Sequence, residues 1–236
     1  EDDALLVLLE KRNLRVLKAL VDAGAGRTSG DAESRIVLDL RLPRAVGAWV
    51  VGAGLGASGV LLQALLRNPL ASPFVIGTAQ GAGFGAMLAL LLGLSQAGTL
   101  GLAFAGSVLA LSLVLSLARG ERLLPAESVV LTGLGVGLLF GALAGLVRYL
   151  AADEGVQGRM VLWVLGGLWH VTWPGLALTA PALFVAVVLA CLQGRRLDLL
   201  ALGPEDAERL GLNAARAATT VLALSCVLTS LAVCLG

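Results

Sequence analysis

The sequence contains an uncharged run that is long enough to cross a lipid bilayer. No charged side chain occurs in residues 45–66, a run of 22 residues. A helix rises about 1.5 Å per residue, so this run covers a hydrocarbon core of about 30 Å. Arg67, Asn68 and Pro69 follow it, and proline disfavours helix at itself and at the residue before it. The run therefore predicts a membrane-spanning helix that ends in a turn.

Further apolar runs predict an all-α polytopic transmembrane helical bundle with about six spans. Charged residues make up only 14% of the 236 residues, whereas soluble domains carry about 25%. A short interfacial helix is expected at 160–168 after a loop at 148–159, and Trp163, Trp169 and Trp173 are expected to form an aromatic belt at the membrane surface. The further predicted spans are residues 73–94, 100–118, 128–147, 174–193 and 214–236.

The first 40 residues differ from the rest. They hold apolar residues at helical spacing but are charged throughout, which indicates an amphipathic, extracytoplasmic segment rather than a span. Residues 24–39, rich in glycine, serine and charges, are expected to form a connecting loop. The chain thus divides into an N-terminal segment, 1–40, and a transmembrane domain, 41–236.

An ordered motif surrounds the first span. It reads RLPR, then GAxLxxSGxLLQxLxRNPLAxPxxxG, then GAxxGA. The motif resembles the permease subunits of bacterial ATP-binding-cassette (ABC) importers for iron-siderophores, haem and cobalamin, known as the FecCD or cobalamin-permease family. The matching residues are Arg41 to Arg44, Gly52, Ala53, Leu55, Ser58, Gly59, Leu61, Leu62, Gln63, Arg67 to Ala71, Pro73 and Gly77.

This resemblance implies a multi-pass permease of the bacterial inner membrane with the type II importer fold. Its partners would be the lipid bilayer, a second permease subunit in a homodimer or heterodimer, two ABC ATPase subunits, an extracytoplasmic substrate-binding protein and a metal-chelate substrate. An iron-siderophore is favoured because it is the commonest substrate of the family. Family members carry additional helices before and after the matched region, so the chain is expected to be a fragment.

Two other functions stay open from the residues. An ion-gradient-driven secondary transporter usually keeps ionisable residues inside its spans, at a cost of roughly 2.5 to 3.5 kcal/mol each, and the predicted spans hold none. A truncated, non-transporting membrane protein is the other alternative, because helices that the family carries have no counterpart here.

Basic residues predict the orientation. The loops after the first, third and fifth spans, counted together with Arg216 at the start of the sixth span, hold 7 arginines, whereas the loop around Arg148 and Arg159 holds 2. Cytoplasmic loops are richer in lysine and arginine, so the first set is expected in the cytoplasm. The N-terminal segment opposes this assignment with 8 basic residues up to Arg44, but the resemblance implies the same orientation as the loops.

Residues 194–213 form the only long polar loop between predicted spans, on the predicted cytoplasmic side. Residues 204–210 begin with proline and acids and end near Arg209, which predicts a short helix with a complemented dipole. The family motif LALGxxxAxxLG implies that this loop couples the permease to its ATPase. The motif falls on Leu200, Ala201, Leu202, Gly203, Ala207, Leu210 and Gly211.

Two arginines lie at the predicted outer mouth. Arg41 and Arg44 are three residues apart, and arginine pairs bidentately with carboxylates. The resemblance implies that they receive acidic residues of the substrate-binding protein. On residue type alone, arginines that anchor a helix end at the membrane surface are about equally consistent.

Four glycines recur at every fourth residue of the fourth predicted span. Rows of small residues let helices pack closely in membranes. The resemblance implies instead a smooth wall of the translocation path at Gly133, Gly137, Gly141 and Gly145. Packing alone is expected at Gly52, Gly56, Gly81 and Gly85.

No motif predicts chemistry by this chain. His170 is the single histidine, and the three cysteines have no metal-ligand spacing. Catalytic triads, phosphate loops and paired carboxylates are absent from the sequence. We therefore expect no enzyme activity, no cofactor and no metal site. A net charge of +1 with scattered basic residues argues against a nucleic-acid partner.

Overall fold

The computed structural model describes residues 35–118 and 126–235, and every regular element in these two ranges is a helix. Predictions for residues 1–34, and for the charged loop after the third span, lie outside the described residues. The helices are α1 Leu42–Leu66, α2 Thr78–Leu91, α3 Gln96–Ala118, α4 Ala126–Leu150, α5 Glu154–Leu165, α6 Trp173–Cys191, α7 Gly194–Leu202, α8 Pro204–Arg209 and α9 Ala214–Leu235.

Five of the described helices are long and apolar enough to cross a membrane: α1 together with the turn before it, α3, α4, α6 and α9. This result confirms the expectation of an all-α polytopic bundle. Charged residues are absent from the apolar stretches because a helix inside the bilayer satisfies its own backbone but cannot hydrate an ionic side chain.

The predicted second span, 73–94, is wrong as a single helix. The chain enters through a 3₁₀ turn, Pro73–Ile76, and breaks at Gly77, whose φ is +76°. The helix that follows, α2, has only 14 residues, or about 21 Å at 1.5 Å per residue. Ile76 and one side of α2 are buried by neighbouring helices, and that protein shield is what makes irregular backbone tolerable at membrane depth.

Two predicted loops contain helical residues within the described ranges. The loop predicted for 24–39 gives way to a π-helical turn at Ile36–Arg41, which runs directly into α1. The loop predicted for 148–159 is reduced to the residues between α4 and α5. Asp153 caps α5 by accepting a 2.9 Å hydrogen bond from the Gly155 amide, so the helix begins before residue 160.

Helix α9 lies at the centre of the bundle. Within its most apolar stretch 56% is buried, against 28 to 33% in the other four spanning helices. Ser58 of α1 hydrogen-bonds Ser225 at 2.7 Å and Thr229 at 2.8 Å, and Ser107 of α3 contacts Ser230. Hydroxyl pairs of this kind join helices where no water is available.

Candidate functional site

The segment between α6 and α9 folds into two short helices at one end of the bundle. Helix α8 was predicted and is confirmed, whereas α7 was predicted as loop. Pro204 opens α8, two acids follow in its first turn, and Arg209 closes it with a 3.2 Å ion pair to Asp206. Gly203 and Gly211 have φ values of +122° and +84°, where a side chain would strain the backbone. We call residues 194–213 the coupling segment.

The seven predicted coupling residues do not share one exposed face. Leu200, Gly203 and Ala207 are buried. Leu200 and Ala207 belong to a cluster that includes Leu61 and Val221. The remaining four face outward: Ala201, Leu202, Gly211 and Leu210. Leu202 and Leu210 are 59% and 61% exposed, so they are the large apolar side chains that a partner could cover.

Arg67 also lies at this end of the bundle. From the sequence it was a stop signal, a motif residue and a loop arginine, with no predicted contact with the coupling segment. It ends α1 at φ +50°, and it is the one non-glycine residue with positive φ among those described. A Cβ placed on Gly203 would lie 3.3 Å from the Arg67 Nη1 atom. The end of α1 therefore lies against the turn between α7 and α8.

Arg41 and Arg44 lie at the opposite end of α1. Both side chains are exposed, and they flank the buried Pro43 on consecutive helical turns. Arg67 lies 26 residues after Arg41, which corresponds to about 39 Å of helix at 1.5 Å per residue. The predicted docking pair and the coupling segment are thus at the two ends of one membrane-spanning helix.

The start of α6 is attached to the start of α1. Trp173, at the first position of α6, donates a 2.9 Å hydrogen bond from Nε1 to the Leu38 carbonyl oxygen. The ring is 43% exposed. Sequence reasoning assigned Trp173 only to an aromatic belt, and no local pattern could reveal a partner 135 residues away.

The glycine row of α4 divides into two halves. Gly133 and Gly137 are buried against the segment that leads into α2, where a Cβ on Gly133 would lie 2.6 Å from the Val75 carbonyl oxygen. Gly141 and Gly145 are exposed, and a Cβ at either would meet nothing among the described residues within 4 Å. Only the second half of the row is exposed in the described structure.

The four glycines assigned to packing alone also divide. Gly81 and Gly85 of α2 lie against the backbone of α3, as expected. Gly52 and Gly56 of α1 do not, because a Cβ at either would have nothing within 4 Å in the described structure. The packing interpretation is wrong for these two within the described chain.

The described residues offer no set of three or more His, Cys, Asp or Glu side chains that could hold a metal ion. Their buried polar residues are serines and threonines, and the Oε1 atom of the half-buried Gln80 is also buried. The interior is therefore built for packing and hydroxyl pairing.

Comparison with known proteins identifies the family. The model of the FecCD transport family matches residues 6–236, so the chain belongs to this family and is a multi-pass protein of the bacterial inner membrane. A solved inward-facing structure of a transporter assigned to the metal-chelate ABC type superposes with a TM-score of 0.76 at 29% identity, covering 97% of this chain and 75% of the other.

Three curated relatives show the same relationship. The hemin transport system permease protein HmuU of Yersinia pestis is 34% identical over 87% of this chain and 63% of its own length. The Fe(3+)-citrate import system permease protein YfmE of Bacillus subtilis is 36% identical over 77% and 54%. The vitamin B12 import system permease protein BtuC of Serratia proteamaculans is 37% identical over 78% and 55%. The chain thus spans between about half and two thirds of these relatives.

Proposed function

We propose that this chain is the membrane-spanning permease subunit of an ABC importer and that the coupling segment is its ATPase-docking surface. The observation that carries the proposal is the pair Leu202 and Leu210, two well-exposed leucines on short helices whose other faces are buried in the bundle. Exposed apolar groups bordered by charges are typical of protein interaction sites. Because Leu200 and Ala207 of these helices are buried against the spanning helices, a force on this surface would move the spans.

Among the residues whose burial the structure describes, no buried side chain is an Asp, Glu, Lys or Arg, which favours ATP over an ion gradient as the energy source. Ion-coupled transporters place carboxylates or histidines in the bilayer despite their cost. Energy would then come from ATP hydrolysis by two ATPase subunits that are separate polypeptides. This chain would not hydrolyse ATP itself. A second permease subunit would complete the path.

Copurification tests the proposal. The chain is expressed in its natural reading frame with the ABC ATPase encoded beside it, as wild type, as a Leu202→Glu, Leu210→Glu variant, and as a Leu165→Glu control. Leu165 is 72% exposed at the end of α5, away from the coupling segment. We expect the double variant alone to lose most of the ATPase. Equal retention by all three proteins would contradict the assignment of the surface.

We also propose that Arg41 and Arg44 dock the substrate-binding protein. Both guanidinium groups are exposed at the end of α1 opposite the coupling segment, and bidentate pairing with carboxylates would fix an orientation. Reversing both to glutamate should abolish stimulation of ATP hydrolysis by the binding protein while the basal rate persists. Arg148→Glu, at the end of α4, is the matched control, and unchanged stimulation in the double reversal would contradict docking.

The proposed substrate is an iron chelate, with an iron-siderophore favoured. Hemin and ferric citrate appear in the names of two relatives, whereas vitamin B12 appears in a third. All three are bulky chelates, which suits a wall without side chains at Gly141 and Gly145. Uptake of radiolabelled ferric siderophore by the assembled importer, competed separately by hemin and by vitamin B12, would distinguish them. Strong competition by vitamin B12 alone would overturn the iron assignment.

A further inference from the structure

We propose that Trp173 is a positioning residue that carries the effect of binding-protein docking from α1 to the coupling segment. This inference rests on the proposed function and adds a mechanical element to it. Its core is the hydrogen bond from Trp173 Nε1 to the Leu38 carbonyl, which joins the first turn of α6 to the helical turn just before Arg41.

The Leu38 carbonyl needs an outside donor because its own helix cannot supply one. The Leu42 amide, which would bond to Leu38 in an α-helix, bonds to Val37 in the π-helical turn. The next residue, Pro43, has no N–H to offer. The hydrogen bond is exposed, so water could also donate to this carbonyl. The indole of Trp173 therefore takes the place of a missing amide.

Helices α1 and α6 stay in close contact below this hydrogen bond. A Cβ on Gly47 would lie 2.9 Å from Val171, two residues before α6, and a Cβ on Gly54 would lie 2.8 Å from Leu183 of α6. Deeper still, Leu61 of α1 belongs to the buried cluster that contains Ala190 of α6. Interiors packed at this density transmit displacement rather than absorb it.

The far end of α6 leads into the coupling segment after Leu192 and Gln193. Leu197 and Leu200 of α7 are buried in the same cluster as Leu61 and Ala190. A displacement of the α1 start, where Arg41 and Arg44 are exposed, would thus reach α7 through α6 in addition to the direct contact of α1 with α7. Without the Trp173 hydrogen bond, α1 could move at its outer end while α6 stayed in place.

Trp173→Phe removes the N–H and keeps most of the ring. In the assembled importer we expect the ratio of stimulated to basal ATP hydrolysis to fall about two- to tenfold, the range that corresponds to one hydrogen bond. The basal rate and ATPase copurification should stay unchanged. Trp169→Phe is the control, because that indole is also about half exposed and donates to no other described residue. An unchanged ratio in Trp173→Phe would overturn the inference.

Pro43→Ala separates coupling from simple stabilisation. It restores an amide near the Leu38 carbonyl, so the stability lost in Trp173→Phe should recover in the double variant. The stimulation ratio should stay low, because the link between the helices is still missing. If the stimulation ratio recovered along with the stability, Trp173 would only supply a hydrogen-bond donor to the Leu38 carbonyl, and the inference would be overturned. A wild-type importer that neither retains the ATPase nor responds to the binding protein would instead contradict the proposed function.

Discussion

The two halves of the α4 glycine row have the same spacing in the sequence and opposite surroundings in the structure. Gly133 and Gly137 are buried, and Gly141 and Gly145 are exposed. Each step of four residues turns a helix by about 40° beyond a full turn, so the row rotates by about 120° from its first glycine to its last. A regular pattern of glycines therefore serves two different surfaces of one helix.

The buried half of the row lies close to residues 75–77 because the helix is broken there, before α2 begins. A Cβ added to Gly77 would lie 2.8 Å from both the Gly133 carbonyl oxygen and the Gly137 amide nitrogen. Backbone meets backbone here, and neither side has a flexible side chain that could move away. The exposed half has no such neighbour in the described structure, so substitutions should separate packing from any role in transport.

The largest loss of stability is expected for Gly133→Ala. The new methyl group would lie 2.6 Å from the Val75 carbonyl oxygen and 2.9 Å from the Ile76 Cα atom. Overpacking of a filled site costs about 1 to 3 kcal/mol. Thermal unfolding of the detergent-solubilised protein should show a clear fall in Tm, with Gly141→Ala as the control. A Tm equal to that of the wild type would mean that the 73–77 segment can shift freely.

Gly137→Ala should have a smaller effect. Its methyl group would lie 3.4 Å from the Gly77 Cα atom and 3.6 Å from the Gln80 side chain, which are ordinary contact distances. The loss should stay below about 1 kcal/mol, because alanine also favours helix over glycine by about that amount. The same thermal assay, with Gly137→Leu as the overpacked comparison, measures it. A loss as large as that of Gly133→Ala would remove the distinction between the two positions.

The smallest change in stability is expected for Gly141→Leu and Gly145→Leu. Both side chains would enter open space, so the Tm should stay near that of the wild type. If these positions line the path, uptake of the chelate by the assembled importer should nevertheless fall several-fold. Leu138→Ile, at an exposed position of the same helix, is the control. Wild-type uptake in both leucine variants would assign the exposed half to contact with lipid or another helix.

Uncharged runs were sufficient to predict most of the spanning helices, because a charged side chain is costly in the bilayer whichever helices lie beside it. They failed for 73–94, where the break at Gly77 depends on the approach of α4. In the coupling segment the motif located the residues but could not separate Leu200 from Leu202, because the cluster around Leu61 decides which leucine turns inward. Their functional roles stay predictions.

The contact between Trp173 and Leu38 lay beyond sequence reasoning for a different reason. Pro43 signals that a carbonyl upstream lacks a donor, but the donor comes from a residue 135 positions later. Such a partner depends on how α1 and α6 cross. The left-handed backbone of Arg67 could not be predicted either, because the sequence there indicates only the end of a helix. Its position beside Gly203 depends on how the chain folds back.

The hydroxyl pairs around α9 connect that helix to α1 and α3. Thr229 and Ser230 also donate to carbonyl oxygens one turn back on α9 itself, those of Ser225 and Cys226. Thr229 and Ser230 therefore keep a partner if α9 slides away from α1 or α3. Ser58 and Ser107 would not, because the side-chain hydrogen bonds of both go to α9. Movement of α9 therefore costs most at the hydroxyls of α1 and α3, which donate to no carbonyl of their own helix, whereas separating α6 from α1 breaks a hydrogen bond at an exposed position that water can reach.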